Sequence, residues 1–172
     1  MPIQNVEIKA RCSNPDKIQA ILKEHDADFK GTDHQIDTYF NIPDGRLKLR
    51  EGTIENNLIY YKRSNTKQPK TSEINLVPMD HPKAMKKLLS NALGVWKVVD
   101  KQRKIYFIDN VKFHIDKVEQ LGSFVEIEAI DEEGTLGEAR LREQCNHYLQ
   151  LFDISDKDLV AVSYSDLLDE QL

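Results

Sequence analysis

The strongest constraint on this chain is a period-two alternation that sorts apolar from charged side chains in one segment after another. Strand side chains point to opposite faces in turn, so positions two apart share a face. Across residues 3–12, Val6, Ile8, Ala10 and Cys12 fall on one face, and Asn5, Glu7, Lys9 and Arg11 on the other. Leu47 and Leu49 oppose Arg46, Lys48 and Arg50. Val111, Phe113 and Ile115 oppose Lys112, His114 and Asp116, while Val125, Ile127 and Ala129 oppose Glu126 and Glu128. Lys101 and Arg103 stand two apart in a long strand at 95–108. Residues 58–63 form a Tyr-rich strand ending in Lys62 and Arg63, and residues 71–77 set Glu73 and Asn75 against Ile74 and Leu76. Residues 35–41 read as a strand with mixed faces.

The charges are also sorted by sign. Lys and Arg dominate three strands and carboxylates another, whereas a merely solvated sheet face mixes signs along each strand. About eight strands suffice to close a barrel and remove its edges. Helices with apolar stripes need an apolar partner, and the outward strand faces supply one. That leaves the charged face inside. The expected fold class is therefore α+β: an eight-stranded antiparallel closed β-barrel with flanking helices, in a single domain over 1–172.

Three amphipathic helices interrupt the strands. The first opens at Asn14-Pro15, a capping residue followed by a proline suited to the first turn, and carries Ile18, Ile21 and Leu22 on one stripe. The second covers about 82–93 with Met85, Leu88, Leu89 and Ala92, and the third about 135–152 with Leu141, Cys145, Tyr148, Leu149 and Phe152. A last helical turn is expected over 163–168, and a charged turn over 64–70.

With 24 Lys+Arg against 29 Asp+Glu, the net charge of -5 argues against bulk attraction to nucleic acid or to an acidic membrane. No apolar run approaches the ~20 residues of a spanning helix. The first residues lack the pattern of a secretory signal, and the two cysteines, Cys12 and Cys145, lack metal-ligand spacing, so a cytoplasmic setting is expected. Burying many charges costs several kcal/mol per unpaired ion. A watered tunnel holding a polyanion and divalent metal would offset much of that cost.

Several of these residues together resemble a known family. Asn5-Val-Glu7-Ile-Lys9-Ala-Arg11 is similar to the Glu-x-Glu-x-Lys signature of the CYTH proteins, also called triphosphate tunnel metalloenzymes. Asp37-Thr-Tyr-Phe, Gly45-Arg-Leu-Lys-Leu-Arg50, Lys101-Gln-Arg103, His114-Ile-Asp116, Leu121-Gly122, Glu126-Ile-Glu128 and Tyr164-Ser-Asp166 follow in family order. The resemblance implies a triphosphate substrate and Mg²⁺ or Mn²⁺ as cofactor. It implies Glu7, Glu126 and Glu128 as metal ligands, with Asp116 as a further candidate. Lys9, Arg11, Lys48, Arg50, Lys101 and Arg103 would bind phosphate, with one more cation from Lys62 or Arg63. Glu73 would orient a cation or contact the metal. Lys9, Glu126 and Glu128 are the residues expected to carry catalysis. Asn5 stands where the signature has its first Glu, so one metal site is expected to be weakened or filled differently.

His114 is read as bonding structurally to a carboxylate, and Tyr164 either as closing one tunnel end or as core packing. A metal-dependent phosphohydrolase of nucleoside, thiamine or inorganic triphosphate is the leading expectation. A class IV-like adenylyl cyclase and a non-catalytic polyphosphate or nucleotide binder are the alternatives.

Overall fold

The computed structural model describes residues 3–63 and 65–171. In chain order the elements are β1 (Ile3–Arg11), α1 (Pro15–Glu24), β2 (Asp28–Phe40), β3 (Arg46–Gly52), β4 (Asn57–Lys62) and β5 (Lys70–Pro78). They continue with α2 (Pro82–Leu93), β6 (Val95–Ile108), β7 (Val111–Val118), β8 (Gly122–Asp131), α3 (Glu138–Leu151), β9 (Leu159–Val160) and α4 (Tyr164–Glu170). The turn expected over 64–70 joins β4 to β5, with Ser64 outside the described residues, as are Met1 and Pro2 of the N-terminal stretch.

The strands run β5-β4-β3-β2-β6-β7-β8-β1, and a β1–β5 pairing from Ile3↔Ile74 to Glu7↔Lys70 closes the ring. This is the eight-stranded antiparallel barrel that the alternation implies. The short β9, which has no sequence periodicity to announce it, lies beside β1 at Lys9 and Ala10, beyond the reach of β5.

The main apolar core lies outside the barrel wall. Val6, Ile8 and Ala10 of β1, Phe113 and Ile115 of β7, and Val125, Ile127 and Ala129 of β8 pack against Ile18 and Leu22 of α1 and Leu141 and Cys145 of α3. Full burial of such a side chain is worth about 1.5–3 kcal/mol, so this layer fixes which strand face points outward. A one-residue slip in any of these strands would turn its apolar set into the charged interior. The Asn14 side chain caps α1 by accepting a hydrogen bond from the Lys17 amide. A smaller apolar cluster joins Tyr39, Ile59, Tyr61, Val99, Val118, Phe124 and Tyr164, with Ile74 packed against it.

One glycine is dictated by close approach. A Cβ on Gly52 would lie 2.5 Å from the Glu55 carbonyl and 2.7 Å from Asp33 Oδ1. Its absence lets the Asp33 carboxylate accept from the Thr53 hydroxyl and from the Ile54 and Glu55 amides. That loop in turn holds Glu55 at the barrel interior.

Candidate functional site

The inward faces of the strands surround a cavity of about 110 Å³. Its cations are Lys9 of β1, Lys48 and Arg50 of β3, Arg63 just past β4, Lys101 and Arg103 of β6, and Lys112 of β7. Its carboxylates are Glu7 of β1, Glu126 and Glu128 of β8, and Glu55 of the β3–β4 loop. In the ring order, β1 and β8 lie across the barrel from β2 and β3. Glu7, Glu126 and Glu128 therefore gather on one side, across from Lys48 and Arg50 of β3, with Lys9 among them on β1.

Two acids fix the directions of the cations. Asp37 accepts from Arg50 Nε and Nη2, each at 2.9 Å, and from Lys101 Nζ at 2.7 Å, with Lys48 Nζ at 3.5 Å. Burial opposes ionisation of Asp37, but these cations outweigh it and hold its carboxyl well below the usual range. Asp116 likewise receives Arg103 Nε and Nη2 at 2.8 Å each and the Tyr164 hydroxyl at 2.7 Å. In both forks the arginine uses Nε and Nη2, so the Nη1 donors lie outside the fork. A guanidinium held this way presents its remaining donors in a fixed direction, which suits phosphate oxygens.

Lys9 is buried, and its ammonium lies 4.0 Å over the Tyr164 ring and donates to the Val162 carbonyl at 3.3 Å. Burial lowers its pKa to about 8, although Glu126 pulls the other way. Burial also lowers Lys101 to about 7. For Glu126, burial favours the neutral acid, but Lys9, His114 and Arg103 prevail and hold the carboxyl well below its ordinary value. Burial raises Glu128, and the charges of Glu7 and Glu126 push the same way.

The acidic wall fits a divalent cation. Glu7 and Glu128 are direct partners across β1 and β8, and Glu126 is two residues from Glu128 on the same face. The Asn5 amide nitrogen donates to Glu128 Oε1 at 2.6 Å, and its oxygen is buried without a partner. Hard oxygen donors of this kind suit Mg²⁺ or Mn²⁺. A positive ion among them would relieve the mutual repulsion that raises Glu128. A second buried group, His114, Asp116 and Glu126, has ligand atoms within 4.8 Å of one another. There Arg103 Nη2 already bridges Asp116 and Glu126 at 2.8 Å to each, so a cation occupies that group and Asp116 acts as its anchor.

Not every residue expected at the site reaches it. Arg11 is exposed, with its guanidinium over the Phe124 ring at 5.0 Å and Nη1 3.4 Å from the Leu121 carbonyl. It is the last residue of β1, past the span that β5 closes. Lys62 is exposed and pairs with Asp44, whereas Arg63 turns inward, pairs with Glu7 and stacks on Tyr61 at 4.9 Å. The register Tyr61↔Ile74 and Tyr61↔Arg46 sets that parity. Asp116 faces Arg103 and Tyr164 and is not among the residues that line the cavity. Glu73 is exposed, and Ser72, Ile74 and Leu76 are the β5 residues that line the interior. His114 lines the cavity with both ring nitrogens unpartnered, the nearest carboxylate oxygen being Glu126 Oε1 at 3.8 Å.

Asp37 and Glu55 were not singled out by the sequence pattern as site residues. Asp33, Gln35, Asp37 and Tyr39 all fall on one face of β2, an alternation visible only when the strand is read from Asp33 onward. Glu55 lies in a loop, where no periodicity operates.

The charge-lined closed barrel defines a class, and the sequence places the chain within it. Residues 4–164 match the CYTH domain, and the protein belongs to the CYTH family. No curated protein matches the chain in sequence. Among solved structures, a Pyrococcus horikoshii protein is similar at 23% identity and a TM-score of 0.82, covering 95% of this chain and 98% of its own. A Vibrio parahaemolyticus protein described as a candidate adenylate cyclase aligns at 22% identity and a TM-score of 0.78, over 96% of this chain and 97% of its own. A Hippeastrum protein described as a candidate adenylyl cyclase with a dominant triphosphatase activity aligns at 11% identity and a TM-score of 0.64, over 98% and 96%. At these identities the likeness shows the fold. No helix among the described residues is long and apolar enough to cross a membrane.

Proposed function

We propose that this protein is a divalent-metal-dependent phosphohydrolase that binds the triphosphate group of its substrate inside the barrel. One observation carries the proposal: seven cations from five parts of the wall converge on the same cavity as Glu7, Glu126 and Glu128. Such a lining meets the needs of phosphoryl transfer, which are positioning and neutralisation of charge spreading over the phosphate oxygens.

Glu7, Glu126 and Glu128 would hold Mg²⁺ or Mn²⁺, with the Asn5 oxygen as a neutral donor. The bound ion supplies electrophilic stabilisation of the phosphate oxygens. Arg50 and Arg103, anchored by Asp37 and Asp116, orient the chain of phosphates. Lys9, beside Glu126 and with its pKa lowered to about 8, is placed to move a proton at Nζ near neutral pH. Tyr164 and Ser163, both buried, close the α4 end of the cavity against bulk water.

The test is a turnover screen with Mg²⁺ or Mn²⁺ over ATP, GTP, tripolyphosphate and thiamine triphosphate, with products identified. Phosphate release is expected from at least one substrate, falling by about 100-fold or more in Glu126→Gln and Lys9→Ala. Cyclic AMP and pyrophosphate from ATP would replace the hydrolase reading with the cyclase one. Metal-dependent binding without turnover would favour a non-catalytic binder, and full activity in either variant would discredit the site.

A further inference from the structure

The wall formed by β4 and β5 inverts the pattern of the rest of the barrel. On β1, β3, β6, β7 and β8 charged side chains point in, whereas on β5 only Lys70, bonded to the Ala161 carbonyl, turns in with its charge; farther along the strand Glu73 points out and Ile74 and Leu76 line the cavity. Ile59 of β4 continues this apolar surface. A cavity serving phosphate alone gains nothing from an apolar wall, because phosphate oxygens lose hydration there without hydrogen bonds in return.

The position of this surface matters as much as its chemistry. Tyr164 and Ser163 are each 4% exposed at the α4 end, whereas Leu76 is 40% exposed. Leu76 lies beyond the Ile3↔Ile74 pair that ends the β1–β5 ladder, so it sits on the rim of the barrel. It pairs across β5 and β4 with Ile59, which pairs in turn with Lys48 of β3. Two strand spacings, roughly 10 Å, thus separate the apolar rim from the phosphate-facing cation. Asn57 lines the same stretch and pairs with Arg50.

We propose that Ile59, Ile74 and Leu76 form a subsite for the apolar, ring-bearing organic group of the substrate, so that the protein selects an organic triphosphate over inorganic tripolyphosphate. This rests on the triphosphate site proposed above and adds the end at which the organic group lies. Ring faces pack on aliphatic side chains through burial of apolar area, and the Asn57 amide offers a donor and an acceptor to ring polar atoms.

The test is calorimetric binding of ATP, thiamine triphosphate and tripolyphosphate, each with Mg²⁺, to the wild type, Leu76→Ser and Ile74→Thr. Neutral replacements leave the cavity charge unchanged, and the exposed position of Leu76 makes its substitution tolerable to the fold. At least one organic probe is expected to bind the wild type about tenfold or more tightly than tripolyphosphate, a difference of about 1.4 kcal/mol. Both variants are expected to lower that ratio by about fivefold or more. Tight tripolyphosphate binding with no organic preference, or a preference unaltered in both variants, overturns the subsite while leaving the triphosphate site standing. Failure of all three probes to bind overturns both.

Discussion

Glu7 and Glu128 face each other as direct register partners between β1 and β8, and on the next inward rung Lys9 faces Glu126. Burial pushes the Glu128 carboxyl toward its neutral form, and the charges of Glu7 and Glu126 push the same way. Arg63 serves Glu7 in the structure, and the Asn5 amide serves Glu128. Both partners must yield when a metal and a polyanion enter the cavity.

Asn5 is the first place to probe. Its amide nitrogen bonds Glu128, and a glutamate there would replace a donor with a fourth carboxylate beside Glu7, Glu126 and Glu128. Asn5→Glu is expected to lower the melting temperature in EDTA and to regain it on adding Mn²⁺, with Mn²⁺ bound about tenfold more tightly than by the wild type. Thermal melts and Mn²⁺ titration measure both. Unchanged metal affinity would show that Asn5 is remote from the ion.

Asp37 is expected to be a structural anchor that the ligand can partly replace. Its removal leaves Arg50, Lys101 and Lys48 facing one another without a counter-charge. Asp37→Asn should lose about 3–5 kcal/mol of unfolding free energy, read by urea denaturation. Tripolyphosphate should restore more stability to the variant than it adds to the wild type, because it supplies the missing negative charge. A loss under about 1 kcal/mol would contradict the anchoring role.

Lys101 gives a pH signature. Burial lowers its pKa from 10.5 to about 7, with Arg103, Arg50 and Lys48 contributing against the opposing pull of Asp37. The depressed value means that the fold favours the neutral amine. Its contribution to stability is therefore present above 10.5 and is lost as the pH falls through about 7. A bound polyanion reverses the preference, so binding near pH 8 should drive proton uptake at Lys101 and, in part, at Lys9, which burial lowers to about 8. Titrations of tripolyphosphate in buffers of different ionisation enthalpy count it. The uptake should shrink in Lys101→Arg, and its absence from the wild type would argue that no polyanion approaches Lys101.

Much of the barrel was legible because burial outside and charge inside gave β1, β3, β7 and β8 unambiguous faces. Val6, Ile8, Val125 and Ile127 needed the cover of α1 and α3, and that need fixed Glu7, Lys9, Glu126 and Glu128 inward. The same logic misleads on β5. The helices pack on β1, β8, β2, β3 and β6, and α3 reaches β5 at Thr71 through Glu138 and Arg142. With solvent over Glu73 and Asn75, polar residues lie outside and the apolar ones turn in. Arg11 kept the right parity but overran the barrel, since a strand's face is set by alternation and its useful length by its neighbours. Lys62 and Arg63 were inseparable in sequence because both faces of β4 mix apolar and aromatic residues; pairing with β3 and β5 decides between them.

That last distinction supplies the most direct test of the convergence of cations on one polyanion. Lys62 and Arg63 are adjacent and both cationic, but Lys62 bonds Asp44 on the outside and Arg63 lines the cavity. The measurement is the dissociation constant of tripolyphosphate with Mg²⁺ for the wild type, Lys62→Ala and Arg63→Ala. Arg63→Ala should weaken binding about tenfold or more, as expected for loss of a charge-assisted contact, and Lys62→Ala should stay within about twofold. Equal losses in the two variants, or no binding by the wild type, would contradict the account.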